Sequence, residues 1–329
     1  MLLSQGYTTL ITPFPSDERF TSLSTTPKFA IGQRAILIRT PAGNLLWDCL
    51  SVLDPTAIEY ITKEGGLGGI VISHPHYYST HLEWAEQFRC PVYLAEEDKA
   101  WLARESGRQV FLRETETKVM IKGVDSGVKV VKLGGHFEGS CRFLLFPRYL
   151  PRPVVLLVGW CLVCFYSTSF FSMFRRQGDG TIPPFLVVPF VPIHFSSPNR
   201  SHLVSADRFD LAVSVVLLFD GRLLIADTLM TTPSGLANWK INALGEERER
   251  PKGANSFAFM WSIPNMIPLG PDEIVRMWDI LKDYHFISTH GAFVGQDIED
   301  VDVKARVLQS MQIQIRSMGY REHHFLHLL

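Results

Sequence analysis

The 329 residues carry 32 Lys and Arg against 33 Asp and Glu, a formal net charge of -1. With the two signs mixed along the chain, no basic field draws it to nucleic acid or to an anionic membrane. Hydrophobic residues are 46% and charged residues 20%, which excludes a disordered chain and predicts a large buried core. Cys49, Cys90, Cys141, Cys161 and Cys164 are odd in number and too sparse for a disulfide scaffold, so a reducing, cytoplasmic setting is expected. The opening residues lack the basic-then-apolar layout of a secretory signal.

Residues 1–27 read as an N-terminal extension. Residues 28–50 hold two β-type runs around Pro41-Ala42-Gly43-Asn44, a hairpin signal. Residues 54–66 open on Asp-Pro and close on Gly-Gly with helical apolar spacing, which predicts a short helix. Residues 68–73 predict a buried strand and 80–88 a helix, with Ser79 or Thr80 as its cap and Glu83 placed for a capping box. Strands follow at 91–98, 118–123 and 128–140. Beyond 213, two apolar runs around Asp220-Gly221 predict a second hairpin. A helix is expected over 271–285, a strand over 286–293 and a terminal helix over 301–320. Hairpins mixed with βα units predict an α/β sandwich of mixed sheets, and no glycine-rich nucleotide motif is present.

Residues 141–213 break this pattern. They are apolar, aromatic and punctuated by proline, and Val154 to Phe171 contains no charge. Three readings stand for them: a membrane span, an inserted surface segment, or a stretch foreign to the native coding sequence, such as a retained intron. Joining Ser140 to Val215 in the text restores a continuous strand and hairpin. The domain division is therefore 1–27, 28–140, 141–213 and 214–329, the second and fourth being halves of one domain. Cys161-x-x-Cys164 has no second pair and reads as apolar filler.

The chemistry gathers at strand ends. In "VISHPHYYSTHLEW" three histidines, His74, His76 and His81, follow a buried run. Pro75 biases His74 toward extended backbone, so His74 and His76 can present two imidazoles to one point, which suits a divalent ion such as zinc. His136 in "KLGGHFEGS", Asp227 in "LLIADTLM" and His290 in "FISTHGAF" each stand in the same position relative to an apolar run. His323, His324 and His327 read as a solvated tail.

The order of "SHPHYYSTH", "GGHFEGS", "DGRLLIADT" and "STHG" resembles the metal motifs of the metallo-β-lactamase-fold superfamily. The resemblance covers residues 28–140 and 214–293 and implies an αββα sandwich with a metal site on one edge. It implies that His74, His76 and His136 hold a first metal, that Asp227 bridges to a second or orients the water, and that His290 belongs to the second. This chain departs from the His-x-His-x-Asp-His pattern of that family: Tyr78 and Ser79 stand where Asp and His are usual. One zinc ion is therefore expected, with two allowed if His81 substitutes as a ligand, and iron as the alternative metal. Tyr78 or Tyr77 is a candidate oxyanion donor beside the catalytic Asp227. The implied function is a hydrolase in which metal-bound hydroxide attacks an ester, lactone, thioester or amide of a small molecule. The alternatives are a mononuclear iron oxygenase of the sulfur-dioxygenase type and a non-catalytic binding descendant.

Overall fold

A computed structural model describes residues 6–136, 215–237 and 253–328, with 241, 244–247 and 251 between the last two stretches. The insertion at 141–213 and its candidate span at 154–171 lie outside the described residues. No helix of the described residues is long and apolar enough to cross a membrane.

The first sheet begins in the stretch that the sequence reading set apart. Strands β1 (Thr8–Phe14) and β2 (Asp17–Thr26) form an antiparallel hairpin, so residues 8–26 are part of the domain and not an extension to it. The hairpin expected within 28–50 is β3 (Arg34–Thr40) and β4 (Gly43–Trp47). Helix α1 (Pro55–Lys63) then crosses to β5 (Gly69–Val71), and α2 (His81–Phe88) crosses to β6 (Val92–Ala95). With β7 (Gln109–Leu112) these complete a seven-stranded sheet in chain order, antiparallel to β4 and parallel beyond it.

The second sheet starts with β8 (Glu116–Ile121) and β9 (Val124–Lys132). Across the insertion, β10 (Val215–Phe219) pairs antiparallel with β9, Val215 opposite Lys132. It turns through Asp220 and Gly221, at φ 47 and 75, into β11 (Arg222–Leu224); two positive φ angles are what a type I′ turn requires. Two small pairs follow, β12 (Met230–Thr231) with β13 (Phe257–Ala258) and β14 (Met260–Ser262) with β15 (Ile267–Pro268), and a one-turn α3 (Pro233–Leu236) lies between β12 and β13. Helix α4 (Pro271–Leu281) leads to β16 (Ser288–His290), β17 (Asp297–Glu299) and the terminal α5 (Val303–Ser317). The six strands run β17-β16-β11-β10-β9-β8.

Strand parity sorts the layers, because successive side chains point to opposite faces. In β3, Ala35 and Leu37 pack with Ala57 and Ile61 of α1 and with Trp84 and Ala85 of α2. Ile36 and Ile38 turn the other way, into the layer between the sheets, where they meet Val128 and Val130 of β9 and Val215 and Leu217 of β10. Val131 and Val216, one residue out of phase, face α4 and α5 through Ile274, Met277, Val307 and Met311. The result is the expected αββα sandwich of two mixed sheets. The inner strands β3 and β10 are buried on both faces, which explains their near-continuous apolar runs.

Candidate metal centre

Strand β5 delivers the first candidate ligands. His74 is extended, at φ -169 and ψ 171, as the following proline requires. The chain then leaves the extended form and makes a 3₁₀ turn over Pro75–Tyr77. His74 and His76 therefore converge through different ring nitrogens and not through the strand parity expected from the sequence. His74 Nε2 and His76 Nδ1 lie 2.9 Å apart.

The other two candidate ligands come from the second sheet. His136 lies four residues past the end of β9, behind Gly134 and Gly135, and its backbone N–H donates to the Thr228 hydroxyl at 3.1 Å. Asp227 lies three residues past β11. Its Oδ2 is 3.3 Å from His74 Nε2, 3.3 Å from His76 Nδ1 and 3.5 Å from His136 Nε2. The four ligand atoms all lie within 4.8 Å of one another, and this is the one such group among the described residues. A tetrahedral zinc ion with bonds of about 2.0–2.1 Å separates its ligand atoms by roughly 3.3 Å. The donor set and its spacing fit a single divalent ion.

The ring nitrogens on the far side are held as well. His136 Nδ1 donates to the Met260 carbonyl at 3.2 Å, which leaves Nε2 with its lone pair toward the cluster. His74 Nδ1 meets the Ser73 hydroxyl at 2.8 Å. Ser73 in turn is held by Asp48, whose Oδ1 accepts the Ser73 N–H at 2.7 Å and whose Oδ2 lies 3.0 Å from the Ser73 hydroxyl. Asp48 is fully buried and sits at φ 58 in the left-handed region.

Burial lowers the pKa of His74, and it pushes His136 down to about 4, so both rings are poised as neutral donors. Burial works to raise the Asp227 carboxyl, but hydrogen bonds with His74 and His76 outweigh it and hold Asp227 well below the usual range. Buried imidazoles around an ionised carboxylate make a nitrogen- and oxygen-lined hole that complements a divalent cation. The His74 side chain is fully buried, whereas that of His76 is 43% exposed, so the centre opens to solvent on the His76 side.

The remaining predicted residues lie elsewhere. His290 stands outside the cluster: its Nδ1 donates to Asp297 at 2.8 Å and its Nε2 meets the Ser288 hydroxyl at 3.1 Å. Its ring sits 5.0 Å from that of Phe14, in the layer between the sheets. Arg34, also buried, grips the same Asp297 carboxylate with both terminal nitrogens, at 3.0 and 2.6 Å. His81 also stands outside the cluster: Nδ1 donates to the Tyr78 carbonyl at 2.7 Å and Nε2 faces the Gln109 amide at 2.9 Å. Tyr78 is buried in the core against α2, its ring beside that of His81, and is absent from the cluster. Tyr77 is the nearer of the two, its ring edge-on to His74 at 5.2 Å. Thr80 stands at the N-cap of α2 without capping it; its hydroxyl donates to the Leu50 carbonyl at 2.7 Å. The sequence reading passed over Asp48, Ser73, Thr228 and the Met260 carbonyl. Asp48 in "NLLWDCL" carries the same signal as Asp227, an acid at the end of an apolar run.

No protein-family model matches the chain. The uncharacterized protein YmaE of Bacillus subtilis (strain 168) is 46% identical over 124 residues, which are 38% of this chain and 43% of that protein. The chain therefore spans less than half the length of this curated relative. Among solved structures, DIM-1 metallo-β-lactamase is similar at a TM-score of 0.48 and 9% identity, over 93% of this chain and 98% of that one. The metallo-β-lactamase FIM-1 from Pseudomonas aeruginosa, in its mono-zinc form, gives 0.44 and 9% over 94% and 96%. A flavo di-iron protein mutant from Thermotoga maritima gives 0.42 and 9% over 93% and 62%.

Proposed function

We propose that this chain, a sandwich of the metallo-β-lactamase fold, is a mononuclear metal-dependent hydrolase acting on an ester, lactone, thioester or amide of a small molecule. The observation that supports it is the convergence of His74, His76, His136 and Asp227 from three distant parts of the chain. A zinc ion held by these residues would supply Lewis acidity and lower the pKa of a bound water toward about 7.

The chain's own groups set the conditions for that chemistry. His74 and His136 are buried and pinned from behind, so they hold their rings in place without reorganisation. Asp227, kept ionised, would hold the ion through Oδ2 beside the three imidazoles and leave a bound water to enter from the open side; a carboxyl held this far down is a ligand and a weak base. His76, half exposed, forms the rim across which substrate approaches. Tyr78 and Ser79 occupy the positions of a second site, which supports one ion and not two.

Elemental analysis after chelation and zinc reconstitution tests the reading, together with turnover of an ester, lactone and thioester panel. The expected result is close to one zinc per chain, with hydrolysis lost in a His74→Ala, His136→Ala double variant. A wild type that holds no more metal than the double variant overturns it. The all-nitrogen-and-oxygen donor set also suits iron. Iron retention with oxygen uptake in place of hydrolysis moves the assignment to a mononuclear oxygenase.

A further inference from the structure

We infer that Gln314 of α5 is a positioning residue for the metal centre: its side-chain amide fixes the base of the β14–β15 hairpin, and the hairpin fixes His136. This rests on the proposed metal centre.

The polar face of α5 carries the argument. Arg306, Ser310 and Gln314 recur every four residues and so share one face of the helix, against residues 256–259. Arg306 Nε donates to the Ser256 hydroxyl at 3.0 Å. The Ser310 hydroxyl accepts from the N–H groups of Ser256 and Phe257 at 3.0 and 3.2 Å. Gln314 makes three bonds: Oε1 accepts from Phe259 N–H at 3.1 Å, and Nε2 donates to the carbonyls of Phe259 at 2.9 Å and Leu269 at 3.2 Å. Among side chains, only a primary amide offers a carbonyl acceptor and two N–H donors on one carbon. Gln314 is buried, so bulk water does not compete for these bonds.

Phe259 and Leu269 flank the hairpin. Met260 pairs with Pro268 as its first rung, and Leu269 N–H closes the base by donating to the Phe259 carbonyl at 2.9 Å. Gln314 thus holds both legs where they meet the helix, and each leg touches the loop that carries His136. From the first leg, the Met260 carbonyl accepts from His136 Nδ1 at 3.2 Å and orients the ring. From the second, the Leu269 side chain lies against Gly135, where an added Cβ would stand 2.8 Å from Leu269 Cδ1. Gly135 also sits at φ 97, in the left-handed region. The ring of His136 and the residue before it are therefore both seated on segments that one amide keeps together. Ser310, one turn back along α5, serves the same strand but reaches only to Phe257, short of Met260.

Gln314→Leu is the direct test, because it keeps the bulk of the side chain and removes all three bonds. Ser310→Ala is the control: it removes bonds from the same helix face to the same strand without touching the hairpin. Zinc affinity of the full chain, read by chelator competition, is expected to fall about tenfold in Gln314→Leu and to change less than about twofold in Ser310→Ala. The second readout is the order of the His136 ring, from ¹³C relaxation in the metal-free protein. It is expected to be high in the wild type and in Ser310→Ala and to drop in Gln314→Leu. Unchanged zinc affinity or an unchanged ring order in Gln314→Leu overturns the positioning role. So does an equal loss in both variants, which a merely structural contribution of the helix would produce. If Gln314→Leu fails to fold, Gln314→Met, which keeps the length and flexibility of the side chain, is read in its place. In the wild type itself the Gln314 side-chain amide protons should exchange slowly, and fast exchange also overturns the inference. A wild type that binds no zinc, but whose His136 ring loosens in Gln314→Leu alone, retains the positioning role and removes the metal reading.

Discussion

His290 and Asp227 both follow apolar runs ending in a β-region, yet only one reaches the metal cluster. The difference is where each stands relative to its strand. His290 is the last residue of β16 and pairs with Leu224 of β11, which faces the layer between the sheets. Cross-strand partners share a face, so His290 points among Phe14 and Phe20 and bonds to Asp297. Asp227, His136 and His74 lie beyond their strands, where the chain is free to turn toward the edge of the sandwich. His290→Ala is therefore expected to leave metal stoichiometry unchanged. It should cost about 2–3 kcal/mol of stability through the lost ring and the hydrogen bond to Asp297. Metal titration beside urea unfolding separates the two; loss of a metal equivalent restores His290 as a ligand.

Among the elements, α1 shows how one side chain joins local and long-range structure. Asp54 caps the helix by accepting from Ala57 N–H at 3.2 Å. It also accepts from Thr9 N–H at 2.9 Å and from the Thr8 hydroxyl at 2.8 Å, which ties the helix to β1. Asp54→Ala is expected to destabilise by about 2–3 kcal/mol, the sum of a lost cap and buried donors left without a partner. Burial works to raise the Asp54 carboxyl, but the threonine hydrogen bonds outweigh it and lower it from 3.8. A carboxyl lowered by folding contributes stability above its unfolded value, and that stability is lost as pH falls through the lower folded value. The difference in urea midpoint between wild type and Asp54→Ala should narrow below pH 3.8, and a constant difference contradicts this. The helix, with Asp-Pro at its start and Gly-Gly at its end, was plain in the sequence. The Thr8 and Thr9 contacts were not, because β1 and β2 are rich in threonine and carry no strong apolar alternation. The pairs β12 to β15 span only two or three residues each, too short for any periodicity to register.

For the whole molecule, the centre joins the two sheets: His74 and His76 follow β5 of the first, His136 and Asp227 follow β9 and β11 of the second. A ligand bound only by the folded chain stabilises it by about 2.7 kcal/mol at a hundredfold excess over Kd. Chelation is therefore expected to lower Tm by roughly 5–10 °C in a protein of this size, an effect absent from the His74→Ala, His136→Ala variant. An equal response in both would show that the cation is held elsewhere. The sequence by itself determined the sandwich and picked out the four residues that cluster, because hydrophobic period and residue type are local properties written directly into the chain. Only the tertiary structure decided that His81 and His290 turn away, that residues 8–26 complete the first sheet, and that Asp48 stands behind His74. Those outcomes depend on which strand lies beside which and on the face each side chain inherits from its neighbour, and pairing between distant segments leaves no mark in either segment alone.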